Sequence, residues 1–203
     1  MRAFIRATSG QELYVMFPMV SDLDEFLEAK ETFEFAYERE RKEGYPLPLK
    51  VHLGLMIEVP SVVFQLKEIL KYCDFISVGT NDLYQFFFAC DRSNSRLNGR
   101  YDVLSAPFLN LMRTIIKEAD AANVSCSVCG EMASNPIDAM ALIGLGLRNL
   151  SVSSAAYGKV KAMIRSMNVK EVEDYINNIL STSRKTVRPQ LTAYAFDHAI
   201  EIY

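Results

Sequence analysis

Asp74-Phe-Ile-Ser-Val-Gly-Thr-Asn-Asp82-Leu decides the reading of this chain, because an apolar run empties into a polar turn. Phe75 to Val78 is short, apolar and partly β-branched, as a buried parallel strand requires. Gly79 then frees the backbone just where Asn81 and Asp82 emerge. Alone, such a turn reads equally well as a helix cap and as a site, since Asn and Asp serve both. Two neighbouring runs end in the same way. Leu53-Gly-Leu-Met-Ile-Glu58-Val-Pro60 stays apolar up to one carboxylate, and its proline marks a helix start. Ser125-Cys-Ser-Val-Cys129-Gly130-Glu131 delivers a thiol, a glycine and a further carboxylate. In a barrel of parallel strands, each wrapped by a helix, all the carboxyl ends open on one face, which would bring Glu58, Asp82 and Cys129 together.

The rest of the chain repeats that βα unit. Strands are expected at Leu13 to Met19, Leu53 to Ile57, Phe75 to Val78, Ser125 to Val128 and Asn149 to Val152. Between them lie an amphipathic helix capped by Ser21 with Asp24 and broken at Gly44, then helices at Ser61 to Tyr72, Leu83 to Ala89, Pro107 to Ala122, from Asn135-Pro136, and at Ala155 to Met167. A helix at Val169 to Leu180, a linker at Ser181 to Arg188 and a short amphipathic tail follow. The fold expected is therefore α/β, a partial (β/α)8 TIM barrel of about five βα units over residues 1–167 with a C-terminal helical extension over 168–203. A complete barrel takes about 250 residues, more than the 203 present. Five strands leave two open edges, so homodimerisation or edge pairing is expected.

Half of the residues are hydrophobic and the net charge is −3, which suits a globular chain with a substantial core and argues against a nucleic-acid partner. Neither a signal segment nor an apolar run of about 20 residues is present, so a cytoplasmic protein with no membrane partner is expected. Cys73, Cys90, Cys126 and Cys129 lack a second close Cys or His pair, so no zinc site is expected.

Met56-Ile-Glu-Val-Pro60, Ser77-Val-Gly-Thr-Asn-Asp-Leu83 with Gln85, Asp91-Arg-Ser-Asn94 and Cys129-Gly-Glu-Met-Ala133 together resemble the phosphoenolpyruvate-binding domain of Enzyme I of the bacterial phosphotransferase system, the phosphoenolpyruvate–protein phosphotransferases. Weaker likeness runs from Arg2-Ala-Phe-Ile-Arg6 and Met16-Phe-Pro-Met19 to about Met167. Pyruvate phosphate dikinase and phosphoenolpyruvate synthase share two of these elements, but the Asp91 to Asn94 stretch is closer to Enzyme I. The tail from Lys185 to Tyr194 resembles the nitrogen-regulatory branch. Against that family the chain enters the barrel partway and reads as a fragment.

The resemblance implies that phosphoenolpyruvate binds at the strand ends with Mg2+ bridging its carboxylate and phosphate oxygens. Glu58 and Asp82 are the implied metal ligands, and two carboxylates with water and substrate oxygens are what Mg2+ accepts. The bland readings are a buried ion-pair partner for Glu58 and a helix cap for Asp82. Arg92 would fork onto the substrate's anionic groups, Asn81 would donate to its phosphate, and Arg6 matches a family arginine near the pocket. Cys129 is the implied acid that protonates the methylene carbon to release pyruvate. Cys126, three residues earlier, projects to the other side of the strand, and Cys73 and Cys90 read as structural. Glu131 reads equally as an orienting group or a plain loop residue. The family's phosphoacceptor histidine has no counterpart in His52 or His198, so transfer to a phosphocarrier protein needs a domain outside this chain, and autophosphorylation by the chain alone is not expected. Two alternatives stand beside this one. A metal-dependent pyruvate-enolate lyase or aldolase barrel would not need the cysteine, and a non-catalytic dimerisation or ligand-sensing module would not need the metal.

Overall fold

A computed structural model describes residues 1–91, 94, 97, 99–182 and 185–203. Five parallel strands form one sheet in chain order: β1 (Glu12–Phe17), β2 (Lys50–Ile57), β3 (Phe75–Gly79), β4 (Ser125–Cys129) and β5 (Asn149–Leu150). The registers Leu55↔Ile76 and Val78↔Val128 put like residues side by side. Leu13, Phe17, Leu53, Leu55, Ile57, Ile76, Val78 and Val128 are therefore buried on one face, beneath the helices. The alternate residues, Tyr14, Met16, His52, Met56, Phe75, Ser77, Ser127 and Cys129, share the other face. That face is open: Tyr14 stacks on His52 at 4.3 Å and meets Phe75 edge-on at 5.7 Å, yet keeps 59% of its surface exposed. The sheet is a succession of βα units in chain order.

The crossovers follow the expected order, with local differences. After α1 (Arg2–Ala7), α2 (Leu23–Lys42) is capped by Asp22, whose side chain accepts from Glu25 N–H at 2.9 Å. Neither expected cap takes that position, although Ser21 does bond Glu25 through its hydroxyl at 2.8 Å. Gly44, at φ +76°, ends the helix region as expected. Between β2 and β3 the chain winds as a 3₁₀ stretch, Pro60–Gln65, before the single turn of α3 (Leu66–Ile69). Ser61 is anchored to Ser21 O at 2.7 Å and Val62 is fully buried, so tertiary contacts tighten what periodicity reads as one α-helix.

α4 (Thr80–Phe87) begins at the end of β3, so Asn81 and Asp82 stand in the first turn of a helix rather than in a preceding loop. α5 (Ala106–Ala121) leads to β4, and α6 (Glu131–Ser134) runs into α7 (Pro136–Gly144), whose cap Asn135 accepts from Ile137 N–H at 3.2 Å. Every residue of α7 is buried. α8 (Tyr157–Ser166), α9 (Val169–Thr182) and α10 (Arg188–Asp197) complete the chain. Val172, Ile176, Leu191 and Ala195 belong to the same core as the sheet, so α9 and α10 pack as part of one body with the segment before them. Among the described residues no helix is long and apolar enough to cross a membrane.

Candidate functional site at the strand ends

Glu58 follows β2 directly and is 4% exposed. Its Oε1 accepts from Met19 N–H at 2.8 Å, and among the described residues it forms no ion pair. Beside it Gly79 is closely approached: a Cβ there would lie 3.0 Å from Glu58 Oε2 and 2.9 Å from Met56 Sδ, so those two side chains would have to shift. Gly79 in turn pairs in register with Cys129. The ends of β2, β3 and β4 thus place Glu58, Gly79 and Cys129 side by side.

Cys129 is partly exposed, whereas Cys73, Cys90 and Cys126 are buried. Its Sγ lies 3.6 Å from Val78 O, and Ser77 Oγ donates to it at 3.8 Å. Burial pushes the Cys73 thiol up to about 11 and the Cys126 thiol up to about 12, so both stay protonated and inert near neutrality.

The turn after β3 is bound to the turn after β4. Thr80 Oγ1 donates to Cys129 O at 2.9 Å, and Asn81 Oδ1 accepts from Glu131 N–H at 3.2 Å. Between them Gly130 sits at φ +107°, where a Cβ would come within 2.6 Å of Thr80 Oγ1 and 3.0 Å of Asn81 Oδ1. Asp82, half-buried, leaves the capping position to Gly79, so the capping role is not the one it plays. Among the described residues no three His, Cys, Asp or Glu side chains cluster as a complete metal cage. Glu58 after β2 and Asp82 in the first turn of α4 are carboxylates close to these ends in sequence, and one or two carboxylates with water and substrate oxygens are what a magnesium-like cation accepts.

Of the expected binding residues, one falls outside the described residues and one is engaged elsewhere. Arg92 lies outside the described residues. Arg6 corrects the expectation outright: its guanidinium pairs with Glu40 and lies 3.5 Å from the centroid of the Tyr45 ring. Glu40 is near the end of α2, which has run the length of the sheet back from the strand ends, and its carboxylate is wholly shielded from solvent. A buried carboxylate demands a cation, and Arg6 with Arg2 supplies it; the hydrogen bond from Arg6 holds the Glu40 carboxyl below its ordinary range. Both histidines have structural partners. His52 Nε2 is 3.2 Å from Glu12 Oε2, and His198 Nδ1 is 2.8 Å from Tyr194 O with its ring stacked on Tyr194.

A cavity of about 530 Å³ adjoins this edge on the helix side, lined by Asn81, Tyr84, Val103, Glu131, Asp138 and Lys159 among others, and by none of Glu58, Asp82 or Cys129. Sequence reasoning missed Thr80, Gly130 and Asp138. The available signal for Asp138 was a lone carboxylate in the first turn of an otherwise apolar helix.

The family described as PEP-utilising enzyme, PEP-binding domain, matches residues 1–169. The phosphoenolpyruvate-dependent phosphotransferase system protein of Escherichia coli (strain K12) is 40% identical over 196 residues, covering 95% of this chain and 26% of its own length. The phosphoenolpyruvate-protein phosphotransferase of Priestia megaterium is 34% identical over 183 residues, 90% of this chain and 32% of its own length. That of Staphylococcus carnosus is 35% identical over 174 residues, 86% and 30%. The chain thus spans about a quarter to a third of the length of these curated relatives. Among solved structures, a citrate lyase from Burkholderia xenovorans LB400 superposes with a TM-score of 0.52 at 14% identity, covering 94% of this chain and 65% of that one. At that identity the likeness is one of fold alone.

Proposed function

The chain belongs to the PEP-utilising enzyme, PEP-binding domain family, and from that premise we propose that it is the phosphoenolpyruvate-binding part of a phosphoenolpyruvate–protein phosphotransferase. The observation that carries this is the juxtaposition of Glu58, Gly79 and Cys129 on adjacent strand ends, with Asn81 and Asp82 in the turn between them. Phosphoenolpyruvate would lie across these ends. Asn81, its Oδ1 engaged by Glu131 N–H, meets the substrate phosphate through its Nδ2 donor, and Arg92 adds a fork for the anionic groups. Magnesium, held by Glu58 and Asp82, would offset the negative charge of the substrate's carboxylate and phosphate oxygens.

In the reaction, the bond between phosphorus and the enol oxygen breaks and a phosphorus–nitrogen bond forms on a histidine of another domain, which then serves a phosphocarrier protein. The enolate left behind takes a proton at its methylene carbon from Cys129 Sγ, giving pyruvate, and the thiolate recovers a proton from solvent. A cytoplasmic location and pairing of two copies belong to the same proposal. The lyase alternative draws no support beyond the shared fold.

Calorimetric titration of the chain with phosphoenolpyruvate, with and without magnesium, tests the proposal. Binding that requires magnesium and survives Cys129→Ala is expected. Absence of magnesium-dependent binding would favour the non-catalytic reading. In a turnover-competent protein carrying Cys129→Ala, proton exchange into pyruvate should disappear; undiminished exchange would remove the thiol from the mechanism.

A further inference from the structure

Arg188, the first residue of α10, ties the last helix of the chain to two places near the strand ends. Its Nε and Nη2 donate to Asp102 Oδ2 and Oδ1 at 2.9 and 2.7 Å, and its Nη1 lies 2.9 Å from Asp138 Oδ1. One guanidinium thus serves two carboxylates from different segments. Thr186 Oγ1 adds a bond to Asp102 Oδ2 at 2.7 Å. The backbones close the clasp, with Ala106 N–H donating to Lys185 O and Val187 N–H to Leu104 O, each at 2.9 Å. Val187 and Leu104 are both fully buried beneath this short antiparallel bridge.

The second carboxylate leads to the candidate site. Asp138 is 6% exposed and stands in the first turn of α7, where it pairs with Arg188. Asn135 caps that same turn and is the residue at which α6 ends. α6 opens with Glu131, whose N–H is held by Asn81 Oδ1. Met132 and Ala133 are buried, so this single helical turn packs between α7 and the start of α4. It is the covalent and packed link from the α7 start to Asn81.

We propose that Arg188 is a positioning residue for the strand-end site: its fork on Asp102 and its ion pair with Asp138 fix the start of α7, and through α6 the orientation of Asn81. The consequence for affinity rests on the proposed binding of phosphoenolpyruvate, while the coupling itself does not. Hence C-terminal segment and substrate turn form one unit, and whatever loosens the tail weakens the site.

The test uses the whole chain with Arg188→Gln and Arg188→Lys. In Arg188→Gln, the amide signal of Glu131 and the side-chain amide signals of Asn81 should shift in nitrogen–proton correlation spectra, and the Kd for phosphoenolpyruvate in magnesium should rise by about five- to tenfold. Arg188→Lys, a point charge without the fork, should recover part of both effects. Should Arg188→Gln fail to fold, Arg188→Lys carries the same comparison with wild type. Signals that move only in residues 102–106 and 185–191, with Asn81 and Glu131 unchanged, would overturn the inference. If wild type shows no magnesium-dependent binding, the functional proposal falls, and the Asn81 and Glu131 signals alone decide this one.

Discussion

Thr80 Oγ1 donates to the carbonyl oxygen of Cys129 at 2.9 Å, so the residue that opens α4 also pins the end of the neighbouring strand. Thr80 is 1% exposed, and water cannot replace its hydroxyl. Thr80→Val keeps the shape and removes the donor, leaving a part-buried carbonyl short of a partner at a cost of about 1 kcal/mol. Urea denaturation should show that loss, and Thr80→Ser should restore most of it. Equal losses in both variants would mean that packing of the methyl, not the hydrogen bond, holds the two ends together.

Gly130 has two independent reasons to be glycine. Its φ of +107° is one that side chains rarely adopt, and a Cβ would meet Thr80 Oγ1 at 2.6 Å and Asn81 Oδ1 at 3.0 Å. Gly130→Ala should cost more than about 1 kcal/mol, and it should displace Asn81 from Glu131 N–H. Magnesium-dependent phosphoenolpyruvate binding should then weaken more than stability does. Calorimetry alongside urea melts checks this; binding that falls only in step with unfolding would reduce Gly130 to a backbone requirement.

The order of strands and helices was legible because each strand is a short apolar run and each is punctuated by Gly, Pro, Asn or Asp. Glu58, Asp82 and Cys129 are expected on one edge because parallel strands align their carboxyl ends whatever the intervening length. Glu58 and Cys129 stand at neighbouring strand ends, while Asp82 belongs to the first turn of α4, with Gly79 holding the strand end itself. Arg6 was misplaced for a physical reason: a buried Glu40, 34 residues away, claims it, and nothing local in sequence announces that pairing. The bond between Arg188 and Asp102 spans 86 residues and was equally invisible. Local winding, as in Pro60–Gln65, yielded to anchors such as Ser61 on Ser21 that only the folded chain brings together.

Asp138 gives stability a specific pH dependence. Burial pushes its carboxyl up to about 6 from the ordinary 3.8, against the downward pull of Arg188. Between those values the folded chain holds more protons than the unfolded one, so this group's contribution falls as pH rises and levels off above about 6. Asp102 has the opposite sign. Burial alone would raise it, but Arg188, Leu104 N–H and Thr186 together hold it low, so its contribution is present above 3.8 and is lost as pH falls. Comparing urea melts at pH 5 and pH 7, Asp138→Asn should remove about 1 kcal/mol of the wild-type decline between them. An identical pH difference in both proteins would place the titration elsewhere.

Gly144 is where α9 seats on α7. A Cβ there would stand 2.3 Å from Ile176 Cδ1, closer than packed carbons tolerate, and a tight 3.0 Å from Val172 Cγ1. Gly144→Ala must therefore push the Ile176 side chain aside, and overpacking of this kind costs about 1–3 kcal/mol. Ile176→Val takes away the colliding methyl at the price of a small cavity, about 0.5–1.5 kcal/mol by itself. In the double variant the two changes should offset each other, so that the pair is less destabilised than the sum of the singles by at least about 0.5 kcal/mol. Because Val172 and Ile176 share the core of the sheet, every one of these variants should still unfold in a single transition seen alike by fluorescence and far-ultraviolet circular dichroism. Strict additivity, or a separate early transition for residues 168–203, would mean that α9 sits on α7 more loosely than this contact requires.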